Sequence, residues 1–62
     1  MDIDIVNQAK TKDEARDFAI TWQSWQATQG LSWEDMFEWS DVFERLAEKF
    51  DLTEEFKENG II

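Results

Sequence analysis

The sequence predicts an all-α fold: an antiparallel helical hairpin over about residues 12–28 and 33–50, closed by a short third helix at about 54–58. Three observations support this three-helix, bundle-like arrangement. Four Trp and five Phe residues occur in only 62 positions, and most of them follow helical spacing. A capping signal precedes each long segment. The chain has no Pro to interrupt a helix and no Cys to form a disulfide, so apolar packing must stabilise a single small domain.

Residues 1–10 are predicted to form an irregular arm. Ile3 and Ile5 alternate with Asp2 and Asp4, which is a strand-like pattern. A lone strand would have no partner in this chain. We therefore expect an extended segment and a turn, with Ile5 or Val6 packed on the helices. A single helical turn that includes Val6 is the alternative.

The first long helix is predicted to begin at a capping box formed by Thr11 and Glu14 and to end near residues 28–29. Gly30 would occupy the left-handed position after it. Ile20 is out of phase with the apolar face and points away from it. That face contains Ala15, Phe18, Ala19, Trp22 and Trp25.

The second long helix has the stronger start signal. Ser32 is the predicted N-cap, and Asp35 takes the third helical position of a capping box. Phe37 and Val42 lie on the two flanks of a broad apolar stripe, and charged residues occupy the opposite face. The stripe consists of Trp33, Met36, Trp39, Phe43, Leu46, Ala47 and Phe50.

The short third helix is expected to be capped by Asp51 or Thr53 and to end at Gly60. Ile61 and Ile62 follow the glycine. Because so small a core needs apolar area, we expect this terminal pair to fold back onto it.

The formal charge of −9 is concentrated in the second half, where residues 31–62 carry ten acidic and three basic groups. A negative field of this kind opposes direct binding to nucleic acid and to anionic membranes, and it favours basic partners. The simpler explanation is that the charge keeps an aromatic-rich small protein soluble.

Composition also argues against catalysis and metal binding. His and Cys are absent, which removes the commonest general base and the thiol nucleophile. Asp2 and Asp4 have the opening spacing of a calcium loop, but the later glycine and acidic residue of that loop are missing. We expect no enzyme activity, cofactor or metal. No apolar run is long enough to span a bilayer and no signal-like leader is seen, so a cytoplasmic location is expected.

The sequence favours protein binding or self-association through an aromatic-rich face as the function. A two-helix core cannot easily cover every side of a broad stripe, and Trp is enriched at interface hot spots. The predicted surface comprises Ile20, Trp33, Phe37, Trp39 and Val42. The alternative is that all four tryptophans belong to the core and that the short helix, the N-terminal arm and the terminal Ile pair cover the flanking residues.

An acidic mimic of nucleic acid is the alternative function. Carboxylates along the second long helix could present a row of charges to a basic DNA- or RNA-binding protein. The residues predicted for this face are Glu34, Glu38, Asp41 and Glu48.

Three segments give the chain a family resemblance: KDEAR at 12–16, AITWQSW at 19–25 and LTEEFKENGII at 52–62. Together they resemble small uncharacterised early or accessory proteins of Gram-positive bacteria and their phages. The resemblance implies an intracellular accessory protein of a phage or mobile element, of a kind that often binds a host protein. It assigns no catalytic residues.

Overall fold

The computed structural model describes all 62 residues and contains four helices and no strands. The helices are α1 (Ile3–Asn7), α2 (Lys12–Gln26), α3 (Trp33–Phe50) and α4 (Thr53–Glu58). The long helix α3 packs against each of the other three. The prediction of a small all-α bundle is confirmed, with one helix more than the sequence pattern suggested.

The predicted irregular arm contains the extra helix α1, so that prediction is wrong. The Asp2 carboxylate accepts a hydrogen bond from the Asp4 N–H at 2.9 Å and caps the helix. Val6 and Ala9 are buried, whereas Ile5 is exposed. The turn is too short to be stable by itself, so its packing against α3 stabilises it.

Helix α2 begins where predicted but ends earlier. The Thr11 hydroxyl accepts from the Glu14 N–H at 3.1 Å, and the Glu14 carboxylate accepts from the Lys10 N–H rather than from Thr11. The helix ends at Gln26, and Gly30 does not have the predicted positive φ. Instead, the N–H and the hydroxyl of Thr28 both donate to the Trp25 carbonyl, one of the carbonyls that a helix end leaves without an intrahelical partner.

Helix α3 has the predicted bounds and the predicted capping box. The Ser32 hydroxyl accepts from the Asp35 N–H, and the Asp35 carboxylate accepts from the Ser32 N–H. At the other end Asp51 adopts a left-handed conformation with φ of 57°. This lets the Leu52 N–H donate to the Ala47 carbonyl at 2.8 Å and turns the chain into α4.

Helix α4 begins one residue earlier than predicted. Leu52 is its N-cap and provides no side-chain hydrogen bond, so the predicted caps Asp51 and Thr53 are wrong. Gly60 does have a positive φ, of 73°. After it, Ile61 is buried and its N–H donates to the Phe56 carbonyl at 2.8 Å. The expected folding back of the terminus is therefore confirmed for Ile61.

A bidentate ion pair joins α2 to α4. The Arg16 guanidinium donates to both carboxylate oxygens of Glu55, through Nε at 2.7 Å and Nη2 at 3.1 Å. These hydrogen bonds are the main reason why the pKa of Glu55 lies below its ordinary value of 4.5, and the charges of Arg16 and Lys12 act in the same direction. Partial desolvation of Glu55 opposes them.

This ion pair predicts a specific pH dependence of stability. Because the pKa of Glu55 is lowered by folding, its contribution is complete above pH 4.5 and is lost as the pH falls through the lowered value. Glu55→Gln should therefore lower the melting temperature at pH 7 and should melt like the wild type at the acid end. Thermal unfolding followed by circular dichroism measures this, with Glu58→Gln as the exposed control. A difference between Glu55→Gln and wild type that persists unchanged into acid would contradict it.

Candidate protein-binding surface

An aromatic cluster fills the centre of the fold and contains three of the four tryptophans. Trp22 of α2 lies 5.3 Å from Phe43 and 6.2 Å from Trp39, measured between ring centroids. Trp25 lies 5.7 Å from Trp39, and Phe56 of α4 lies 6.0 Å from Phe43. Trp22 thus contacts the later residue of α3, Phe43, and Trp25 contacts the earlier one, Trp39. This order is the one expected for two antiparallel helices.

The fourth tryptophan lies outside this cluster. Trp33 is 80% exposed and Phe37, one turn later on α3, is 68% exposed. Their ring centroids are 6.3 Å apart and the rings are tilted by 34°. We call these two residues the aromatic pair. Phe37 has no other ring neighbour among the aromatic contacts of the chain, so the pair forms its own exposed apolar patch.

The structure separates the five residues predicted for the interaction surface. Trp33 and Phe37 are exposed and adjacent, as the prediction required. Trp39 and Val42 are buried, so their assignment to the surface is wrong. Trp39 stacks on Phe43 at 5.9 Å, and Val42 lies beside α1. The sequence left the position of Val42 open because a helical turn in residues 1–10 was only the alternative to an irregular arm.

Ile20 is exposed but lies on a different surface from the aromatic pair. It borders a shallow groove of about 240 Å³ between α2 and α4, together with Gln23, Asn59 and Ile61. Neither Trp33 nor Phe37 lines this groove. The predicted single face therefore consists of two separate exposed apolar sites.

Sequence reasoning missed a further exposed apolar residue, Ile5. Its exposure of 58% equals that of Ile20, and it borders a groove between α1 and α2 that Phe18 also lines. The sequence left Ile5 and Val6 as equal candidates for packing, because the strand-like alternation did not fix the phase of this segment; in α1 it is Val6 that points inward.

The four residues of the predicted acidic face, Glu34, Glu38, Asp41 and Glu48, are all exposed. Asp41 accepts a hydrogen bond from Arg45 at 2.9 Å. The three glutamates have no ion-pair partner within 4 Å. Three of the four carboxylates of the predicted acidic face therefore lack a direct ion pair.

Metal-binding groups, membrane-spanning helices and known relatives are the other features that could point to a function. No group of three or more acidic side chains is placed to hold a metal ion. No helix has the length and apolar character needed to cross a membrane. Comparison with family models, curated proteins and solved structures gives no significant match. The geometry of the exposed residues is thus the basis for a functional proposal.

Proposed function

We propose that this protein is a non-enzymatic interaction module that binds another protein through the aromatic pair, Trp33 and Phe37. The observation that carries the proposal is the contrast among the tryptophans. Trp22 and Trp39 are buried and Trp25 is half-buried in the core cluster, whereas Trp33 is 80% exposed beside an exposed Phe37.

A partner that covers exposed aromatic side chains of this size removes a large apolar surface from water. A large aromatic side chain can remove roughly 150–250 Å² of surface from water when it is covered. Trp33 and Phe37 are four residues apart on one helix, which puts both rings on the same face. Anchors at this spacing are the usual means by which a helix fits into an apolar groove of another protein.

The pair is also held on a rigid support. Trp33 is the first residue of α3, and the Ser32–Asp35 capping box fixes that end of the helix. Trp39 and Phe43 of the same helix are buried in the core. A helix anchored in this way loses little conformational entropy on binding, which favours affinity.

Differential capture of partners from a cell lysate tests this proposal. The bait proteins are the wild type, Trp33→Ala/Phe37→Ala, and Ile5→Ala/Ile20→Ala, which removes the other two large exposed apolar side chains. A partner should bind the wild type and the control and be lost by the first variant. With the partner purified, the loss should be about 30-fold or more in Kd, the size of a hot-spot effect of about 2 kcal/mol.

Two results would contradict the proposal. Either the same proteins bind the Trp33→Ala/Phe37→Ala variant as tightly as the wild type, or the control variant loses them equally. Circular dichroism of each bait must first show native helix content, so that lost binding is not lost folding.

Mimicry of nucleic acid is a second candidate function, favoured by the exposure of the whole predicted acidic face. Glu34, Glu38, Asp41 and Glu48 all project into solvent from α3. A basic nucleic-acid-binding partner would be released by salt and by competing DNA or RNA. Glu34→Gln/Glu38→Gln/Asp41→Asn should then abolish the complex. A partner that is insensitive to salt, competitor and these changes would exclude mimicry.

The origin and cellular location of the protein also belong to the proposal. The resemblance of segments 12–16, 19–25 and 52–62 to phage and Gram-positive accessory proteins supports a role in the bacterial cytoplasm, with a host or phage protein as the partner.

A further inference from the structure

The outer side of α3 changes character along its length. At 3.6 residues per turn, Trp33, Phe37, Glu44 and Glu48 fall within about 60° of one another around the helix axis. All four are exposed. We call this line of residues the α3 outer stripe. It is aromatic in the first two turns and acidic in the last two, over a length of about 22 Å.

The acidic end of the α3 outer stripe has no direct ion pair within the chain. Glu44 and Glu48 form no ion pair within 4 Å. Lys57 of α4 borders the same shallow groove as these two glutamates but does not pair with them. Arg45 is paired with Asp41 instead. The negative end of the α3 dipole lies nearby and adds to the local negative potential.

A second copy of this chain fits the α3 outer stripe poorly. A two-fold interface places the same surface of each copy against the other. The stripe contains no basic residue, so its glutamates would face aromatic rings or other glutamates. Each copy also carries a formal charge of −9. Charge complementarity therefore selects a basic occupant over a second copy.

We infer that the occupant is a basic segment of a partner protein, with an apolar anchor at one end and Lys or Arg residues beyond it. The anchor would cover Trp33 and Phe37. The basic residues would lie about 10 and 16 Å further along, opposite Glu44 and Glu48, given a rise of 1.5 Å per residue from Phe37. This inference rests on the proposed function and adds the chemistry of the partner and the order of its apolar and basic residues.

Synthetic helical peptides of about 16 residues provide the probe. The basic peptide has two leucines one turn apart and lysines seven and eleven residues beyond the second, and it is made in both chain directions. Two analogues replace the lysines by glutamine or by glutamate. Binding to the full-length protein is measured by amide shift mapping and calorimetry.

The expected order of affinity is lysine peptide, then glutamine, then glutamate, with shifted amides along residues 33–48. Glu44→Gln/Glu48→Gln should weaken the lysine peptide about threefold to tenfold, since exposed charge pairs contribute modestly. Glu54→Gln/Glu58→Gln removes the same charge from exposed positions on α4 and should weaken it less than twofold.

Each of the other outcomes would overturn a defined part of this inference or of the proposed function. If Glu44→Gln/Glu48→Gln and Glu54→Gln/Glu58→Gln weaken binding of the lysine peptide equally, the attraction is to net charge alone. If the lysine peptide does not bind, the occupant is not a basic segment. If all three peptides bind equally and Trp33→Ala/Phe37→Ala abolishes their binding, the partner need not be basic, but the proposed function still holds. If that aromatic variant binds the lysine peptide normally and also captures partners normally, both proposals fall. Sedimentation showing a dimer that Trp33→Ala disrupts would make a second copy the occupant.

Discussion

Replacing Phe43 by alanine should unfold the protein at room temperature. Phe43 is fully buried, and its ring contacts Trp22, Trp39 and Phe56, so it joins α2, α3 and α4. Truncating a buried Phe to Ala typically costs about 3–5 kcal/mol, partly through the cavity that remains. A single core of this size rarely supplies more than about 3–5 kcal/mol in total. The variant should therefore lose most of its helical circular dichroism.

Phe37→Ala is the matched control for Phe43→Ala. It is the same substitution on the same helix, at an exposed position. Its free energy of unfolding should stay within about 0.5 kcal/mol of the wild type, as expected for a surface site. Equal destabilisation by the two variants would show that the aromatic pair and the core cluster are wrongly distinguished.

Replacing Val6 by aspartate should detach α1 from the rest of the fold. Val6 is 1% exposed, and no basic side chain forms an ion pair with α1 that could offset a buried carboxylate. Undocking of the short helix is easier than burial of the charge. The cost should be about 2–3 kcal/mol, close to the value of burying one Val side chain in full.

Urea unfolding measures the loss, and amide exchange shows whether it is confined to α1 and its contacts. Ile5→Asp introduces the same charge at the exposed neighbouring position and should be nearly neutral. Protected amides in residues 3–7 of Val6→Asp, with unchanged stability, would contradict the packing of α1 against α3.

The sequence predicts the long helices well because their signals are local. The Ser32–Asp35 capping box and the apolar stripe define α3 without reference to the rest of the chain. The end of α2 is less predictable, since Gly30 is a plausible left-handed residue but the chain leaves the helix earlier, after Gln26. Helix α1 could not be fixed locally, because alternation of Ile and Asp is compatible with a strand and only packing against α3 selects the helix.

The same difference between local signals and tertiary packing explains which residues of the candidate surface could be predicted. The exposure of Ile20 follows directly from its phase on α2. The burial of Val42 depends on α1, which covers that flank of α3 and which the sequence offered only as the alternative to an extended arm. Phe37, on the other flank, stays exposed because α4 and Ile62 border the acidic half of α3 instead of its first turns.

Trp33 and Phe37 lie outside the core, where a partner can reach both rings. Equilibrium urea unfolding of Trp33→Ala/Phe37→Ala tests this placement most directly. The free energy of unfolding should remain within about 0.5 kcal/mol of the wild type, because neither side chain contributes to the core. A loss of about 3 kcal/mol or more, the usual cost of truncating one buried aromatic residue, would contradict it.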